Sequence, residues 1–147
     1  MAYFAEIDEN NIVLRVNCAC DIDVSTNGGD KSEQAAEKFK TVSPLSEKGI
    51  KWIQTSVNFR KQMASIGFSY DPIKDIFISP KPYSSWILDS NNDWQPPIEW
   101  PTIKTYGENN NYILLWDEDN QKWLGKDHLN NEFEWIPSSS SWIATGN

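Results

Sequence analysis

The sequence has little of the chemistry that enzymes and metal sites use. It contains one histidine, two cysteines and no Gly-x-Ser-x-Gly motif among 147 residues. A serine-type nucleophile needs a base beside it, and structural zinc needs four ligands, which Cys18, Cys20 and the distant His128 do not provide. We therefore expect free thiols and a surface histidine. The chain is predicted to have no catalytic residues, no metal site and no cofactor, and not to be an enzyme.

Long apolar runs, a leader sequence and excess positive charge are also absent. No stretch is long and apolar enough to predict a membrane-spanning helix. The first residues, 1–6, lack the basic start and apolar stretch of a secretory signal, so we expect synthesis in the cytoplasm of the producing cell. Thirteen Lys and Arg against 21 Asp and Glu give a net charge of -8. Proteins that bind phosphate backbones concentrate positive charge, so nucleic acid is excluded as an expected partner.

A loop rich in carboxylates begins at Asp117 and invites comparison with a calcium-binding loop. Such a loop needs glycine at its sixth position and a bidentate glutamate at its twelfth. This chain has Lys122 and His128 at those positions. The comparison fails, and the loop is better interpreted as a turn between two strands.

Charge and tryptophan are concentrated in the second half of the chain. Residues 1–70 carry eight basic and nine acidic side chains, whereas residues 71–147 carry five and twelve. Seven of the eight tryptophans lie in residues 71–147. Aromatic residues favour strands, and Asn and Asp favour turns, so this half is predicted to consist of short strands and tight turns.

A recurring pattern of an apolar residue, an aspartate, several polar residues and a second apolar run predicts β-hairpins. An aspartate side chain accepts hydrogen bonds from the backbone N–H groups of residues that follow it in the sequence, and so closes a turn. Four segments carry the pattern, and a fifth has a serine loop instead: 7–13, 70–78, 88–94, 116–123 and 133–143. Residues 50–55 alternate as a further strand.

One segment has helical periodicity, and the proline-rich segment 97–101 marks a boundary between two predicted domains. Ser32 begins a predicted helix over 32–40, in which Ala35, Ala36 and Phe39 share one face. We therefore predict a mainly β fold with one short helix. The predicted domains are a hairpin-rich antiparallel sheet unit over 1–101 and an acidic, Trp-rich β-hairpin extension over 102–147.

The aromatic residues divide into an expected core and an expected contact surface. Large rings bury about 150–250 Å² each and are enriched at both kinds of site. The expected core residues are Trp52, Phe59, Tyr70, Phe77 and Trp86. The expected partner-binding residues are Trp100, Trp116, Trp123, Trp135 and Trp142.

Several strings, in this order and spacing, resemble a family of small structural proteins of tailed phages, best known from marine cyanobacterial viruses. They are Phe4-Ala5-Glu6-Ile7-Asp8-Glu9-Asn10-Asn11-Ile12-Val13-Leu14-Arg15-Val16, Gln54-Thr55-Ser56, Asn58-Phe59-Arg60-Lys61, Ile66-Gly67-Phe68-Ser69-Tyr70-Asp71, Asp75-Ile76-Phe77-Ile78-Ser79-Pro80-Lys81-Pro82-Tyr83-Ser84-Ser85-Trp86-Ile87-Leu88 and Trp94-Gln95-Pro96-Pro97. The resemblance covers most of residues 1–101. The chain departs from the family pattern at Cys18-Ala19-Cys20, at Met63 and in a longer tail beyond Leu124.

The resemblance implies a virion component whose partners are other virion proteins. The leading hypothesis is a capsid decoration protein that binds the major capsid lattice through aromatic and proline-rich surfaces. Alternatives are a tail, baseplate or fibre-associated protein that binds tail proteins, a tail-fibre assembly factor, and a homo-oligomer within any of these. From another class comes a carbohydrate-binding module for host-surface glycans, with Trp116 or Trp123 as the stacking residue.

Overall fold

The computed structural model describes residues 1–146. The chain forms two compact units, unit 1 (Met1–Pro80) and unit 2 (Lys81–Asn147). This division comes earlier than the boundary predicted after residue 101. The difference has a physical cause, because Trp86, Trp94 and Ile98 pack into the same core cluster as Trp116 and Trp123.

Unit 1 contains five strands and two helices. A three-stranded antiparallel sheet has the order β2-β1-β3, and β4 and β5 form a separate hairpin. The elements are β1 (Ala2–Ile7), β2 (Val13–Ala19), α1 (Asp21–Ser25), α2 (Glu33–Val42), β3 (Lys51–Thr55), β4 (Ser69–Asp71) and β5 (Ile76–Ile78). The mainly β fold is confirmed, with a second helix, α1, beside the predicted one.

The two helices differ in how strongly the sequence signals them. Helix α2 begins after Ser32, whose side chain accepts a hydrogen bond from the Ala35 N–H at 3.1 Å, as an N-cap does. Its apolar face packs on the sheet, where the Phe39 ring stacks on Phe4 at 4.4 Å. Helix α1 has five residues and no side-chain cap, so it leaves no periodic pattern for sequence analysis to detect.

The sheet of unit 1 is covered on both faces because alternate residues of β1 point to opposite sides. Phe4 belongs to the cluster under α2, together with Trp52. Ala5 and Ile7 belong to a second cluster, which includes Phe77 of the β4–β5 hairpin.

Unit 2 contains eight strands. Its main sheet is four-stranded and antiparallel, with the order β10-β11-β12-β13, and two small hairpins precede it, β6–β7 and β8–β9. The elements are β6 (Ile87–Leu88), β7 (Trp94–Gln95), β8 (Thr105–Tyr106), β9 (Asn110–Asn111), β10 (Ile113–Asp117), β11 (Lys122–Lys126), β12 (Glu132–Ile136) and β13 (Ser141–Ala144). All five predicted hairpins are present, and the β8–β9 hairpin and the β11–β12 turn are additional.

Three of the turns share one geometry built on an aspartate. Asp8 accepts backbone hydrogen bonds from Asn10 and Ile12, both at 2.9 Å, and Asn11 takes a left-handed φ of 61°. Asn tolerates this conformation better than most residues. The same arrangement recurs at two more turns, with aspartates and left-handed asparagines Asp89, Asn92, Asp127 and Asn130. At Asp8 and Asp89 the aspartate pattern predicts the hairpin for the right physical reason, whereas the turn at Asp127 was not predicted.

No helix within residues 1–146 has both the length and the apolar character needed to cross a membrane.

Candidate partner-binding surface

The tryptophans of unit 2 are mostly core residues. Trp116, Trp123 and Trp135 are buried, and Trp142 is half-buried. Burial removes the first three as contact residues, which corrects the expectation that they meet a partner. Trp100 is the one expected contact residue that is largely exposed, with 41% of its surface accessible.

The expected core residues are buried with one exception. Trp52, Tyr70, Phe77 and Trp86 are all buried. Phe59 is half-buried instead, and the Lys31 Nζ and Arg60 Cζ atoms each lie 5.9 Å from its ring centre. A ring with two cationic side chains beside it lies at the margin of the core rather than inside it.

Two exposed rings lie against the same buried tryptophan in unit 2. Tyr83, 38% exposed, and Trp100 have ring centres 5.5 and 5.8 Å from that of Trp86. Trp100 also packs on Trp123 at 4.3 Å. We call Tyr83 and Trp100 the aromatic platform. Because both rings pack on buried tryptophans, they are held in place rather than free to rotate.

Polar groups surround the platform on the Trp100 side. The Trp100 indole Nε1–H donates to Gln95 Oε1 at 3.2 Å, and the Lys104 ammonium lies 5.6 Å from the Trp100 ring centre. Pro82 and Pro97 are exposed near these rings in sequence. An exposed indole ring with a cation beside it suits a partner that offers apolar side chains and acidic or carbonyl groups.

The buried tryptophan beneath the platform has an unsatisfied donor. Trp86 Nε1 is buried and has no hydrogen-bond acceptor among the residues that the structure describes. Five other indole N–H groups do have acceptors, those of Trp52, Trp100, Trp116, Trp123 and Trp142. Leaving a buried donor unpaired costs about 1–3 kcal/mol, so this indole N–H is a local penalty within the core of unit 2.

One carboxylate holds the segment between Tyr83 and Trp86. Glu118, in the β10–β11 turn, accepts from Ser84 Oγ at 2.8 Å, from Ser85 Oγ at 2.7 Å, from Ser85 N at 2.9 Å and from Trp116 Nε1 at 2.7 Å. The hydrogen bonds from Ser85 and Trp116 lower the pKa of Glu118 to about 2. Its role is to fix the platform's segment on the main sheet. No sequence pattern marks it, because the two serines that it binds lie more than 30 residues away.

Unit 1 contains a buried carboxylate with a structural role. Glu6 is fully buried and accepts from Arg15 Nη2 at 2.6 Å, from Ser46 N at 3.1 Å and from Ser46 Oγ. Burial raises the pKa of Glu6, but the hydrogen bonds from Ser46 and Arg15 outweigh it and the net pKa is lowered. A side chain on Gly49 would collide with this carboxylate, so glycine is required there. The cluster joins β1 to the chain before β3.

A second polar cluster in unit 1 joins the β4–β5 hairpin to the sheet. Arg60 Nε donates to Asp75 Oδ1 at 2.7 Å, Tyr70 Oη donates to the same oxygen at 2.5 Å, and Arg60 Nη1 donates to the Gln54 carbonyl at 2.8 Å. Burial, followed by the Asp75 carboxylate, raises the pKa of Tyr70 to about 12. Every polar group named here has a hydrogen-bond partner within unit 1, so the cluster holds the β4–β5 hairpin against the sheet.

The remaining candidate residues lie apart. His128 is exposed, and its Nδ1 is 2.9 Å from Tyr106 Oη. Cys18 and Cys20 are free and exposed. Within residues 1–146 there is no group of three or more His, Cys, Asp and Glu side chains placed to hold a metal ion.

Comparisons of the chain with protein-family models, with curated proteins and with solved structures find no match. A functional assignment therefore depends on the geometry of the platform and on the sequence strings described above.

Proposed function

We propose that this chain is an accessory structural protein of a tailed-phage virion, with capsid decoration as the leading assignment, and that it docks on the major capsid lattice through the aromatic platform. The observation that carries the proposal is the platform itself: two exposed rings, Tyr83 and Trp100, packed against the buried Trp86. Aromatic anchors of this kind are the residues that contribute most to protein–protein affinity.

The sequence strings that resemble those of phage structural proteins support the same assignment. The longest of them, residues 75–88, includes Tyr83, the two serines bound by Glu118, and Trp86. The resemblance therefore covers half of the platform and the segment that positions it. A tail, baseplate or fibre position remains the first alternative, and a tail-fibre assembly factor the second.

The glycan-binding alternative needs a different stacking residue from the two that the sequence predicted. Trp116 and Trp123 are buried, so neither can stack on a sugar. Trp100, with Gln95 and Lys104 beside it, is the ring that a glycan would meet. The same variant therefore tests both hypotheses, and the ligand distinguishes them.

The test is binding of the purified chain to particles from a phage whose copy of the gene is deleted. We expect the wild-type chain to sediment with the particles and Trp100→Ala to weaken binding about 30-fold, since a hot-spot residue contributes about 2 kcal/mol. The control is Ile73→Ala, which removes an apolar side chain in a turn of unit 1 that is even more exposed than Trp100. Near-ultraviolet circular dichroism establishes that both variants fold.

The proposal is wrong if the wild-type chain does not bind particles, or if Trp100→Ala and Ile73→Ala bind equally well. Binding to a glycan array that is lost in Trp100→Ala, without binding to particles, would support the carbohydrate-binding alternative instead.

A further inference from the structure

The main sheet of unit 2 ends in an open edge at β10. Strand β10 pairs with β11 in continuous register from Ile113 opposite Lys126 to Asp117 opposite Lys122. On its other side, no strand within residues 1–146 pairs with it. An unpaired strand edge presents a row of N–H and C=O groups that can extend the sheet into another chain.

Strand β10 lacks the features that usually protect such an edge. Its residues, Ile-Leu-Leu-Trp-Asp, include no lysine and no proline, and its pairing with β11 has no bulge. In unit 1, by contrast, the edge strand β3 is covered at Gln54, whose carbonyl accepts from buried Arg60.

The outer face of the sheet is apolar beside this edge and charged farther away. Ile113 and Leu115 are 62% and 41% exposed, and Leu115 lies opposite half-buried Leu124 on β11. We call these three residues the apolar seam. The next residue in the same row is Glu134, which pairs with Lys122 at 3.2 Å. The seam resembles one half of a small core that ends at the strand edge.

We propose that the occupant of this edge is a second copy of this chain, joined by antiparallel pairing of β10 with β10 about a two-fold axis perpendicular to the sheet. Centring the axis on Leu115 places Leu115 opposite Leu115 of the second copy. This register keeps both outer faces on the same side, because side chains alternate along strands. The two apolar seams then form one continuous strip across an eight-stranded sheet.

The charges on the strand are compatible with this register. Asp117 is the only charged residue of β10, and it lies at the end of the strand rather than at the centre of the seam. In the two-fold arrangement it faces Ile113 of the second copy, whose neighbour on β11 is Lys126. Each Asp117 thus lies two strand spacings, roughly 10 Å, from an opposite charge.

The opposite edge of the same sheet is less suited to pairing. On β13, Ile143 is exposed on the outer face, but its neighbour in the row is Glu134, so no apolar strip continues from it. A β10–β13 contact between copies would also be heterologous and would propagate as an open chain of molecules. The β10–β10 contact closes after two copies.

Sedimentation equilibrium of the full chain over low-micromolar to millimolar concentrations tests the proposal. We expect a reversible dimer with a dissociation constant in the micromolar range, because the pairing edge is short and small interfaces are weak. Leu115→Lys should remain monomeric throughout. The matched control, Ile143→Lys, makes the same change at the other edge and should dimerise like the wild type.

Amide hydrogen exchange at low and high concentration locates the contact. Protection that grows with concentration at residues 113–117, and not at residues 141–144, supports pairing through β10. A wild-type chain that stays monomeric at millimolar concentration, growth beyond the dimer, or equal loss of association in both lysine variants would overturn the proposal. None of these results depends on whether the chain is a virion protein.

Discussion

The two units of this chain differ in the kinds of side chain that they bury. Unit 1 buries the charged side chains Glu6 and Arg60 among aliphatic and mixed aromatic side chains and gives each an internal partner. Unit 2 buries four tryptophans, Trp86, Trp116, Trp123 and Trp135, in one cluster and keeps its carboxylates outside it. Partnered charges fix the position of one segment against another, whereas the edge-to-face and tilted indole rings of unit 2 fill volume and leave Trp100 exposed at the rim of the cluster.

This difference underlies our proposal that partners bind to unit 2. Glu6 and Arg60 fasten loops of unit 1 onto its sheet, and each is fully partnered inside the unit. In unit 2, Trp100 remains exposed at the rim of the tryptophan cluster, and the edge of β10 remains unpaired within the described residues. An interior built from large aromatic rings thus leaves a ring exposed at its rim, which is where we propose that a partner binds.

The largest expected change in stability comes from variants that test whether the two units have separate cores. Phe77→Ala and Trp86→Ala should each lower the free energy of unfolding of their own unit by about 3–5 kcal/mol, since both remove a large buried side chain. Tryptophan fluorescence follows unit 2, which holds seven of the eight tryptophans, and amide exchange follows unit 1. Each core cluster draws its residues from one unit. Equal loss in both units from either variant would contradict separate cores.

A smaller change in stability is expected from a variant that removes the buried charge of Glu6 in unit 1. Glu6→Gln should lower the free energy of unfolding of this unit by about 1–3 kcal/mol, because it weakens the acceptor for Arg15 and Ser46 in a fully buried place. The control is Glu37→Gln, which alters an exposed contact with Lys40 at 4.0 Å and should change stability by less than about 0.5 kcal/mol. Urea denaturation measures both. Equal effects would show that burial of the pair is unimportant.

The smallest expected effect concerns the acid stability of unit 2. The pKa of Glu118 is about 2 in the folded chain, below the unfolded value of about 4.3. A depressed pKa contributes stability that is fully present above the unfolded value and is lost as pH falls through the folded value. Unit 2 should therefore lose stability between about pH 4.3 and pH 2, and Glu118→Gln should flatten that part of the profile.

Ser85→Ala sharpens this prediction. It removes the hydrogen bond that most lowers the pKa of Glu118, so the carboxyl should titrate at higher pH in an NMR titration. An unchanged titration would show that the Ser85 hydroxyl does not hold the carboxylate, and with it the segment between Tyr83 and Trp86.

Local chemistry made the hairpins and the long helix predictable. An aspartate such as Asp8 organises a turn with atoms from its own four following residues, and Ser32 caps α2 with a bond to Ala35. Both signals lie within one turn of chain, which is the range that sequence patterns report.

Burial and the extent of the units depend on distant residues, and there the sequence was a poorer guide. Hairpin register places Trp116 opposite Trp123 on one face of the sheet, but which face is covered depends on the segment that contains Trp86. That segment packs into unit 2, so the predicted contact tryptophans became core and the division moved to Pro80. Glu6 likewise meets Ser46 from 40 residues away, a contact that no local pattern signals.

The most direct test of the proposed virion role is quantitative mass spectrometry of purified particles. It measures the copy number of this chain relative to the major capsid and tail proteins. We expect a copy number near that of the major capsid protein. A ratio near that of a tail ring or fibre protein would contradict decoration of the lattice, and absence from the particle would contradict the proposed function.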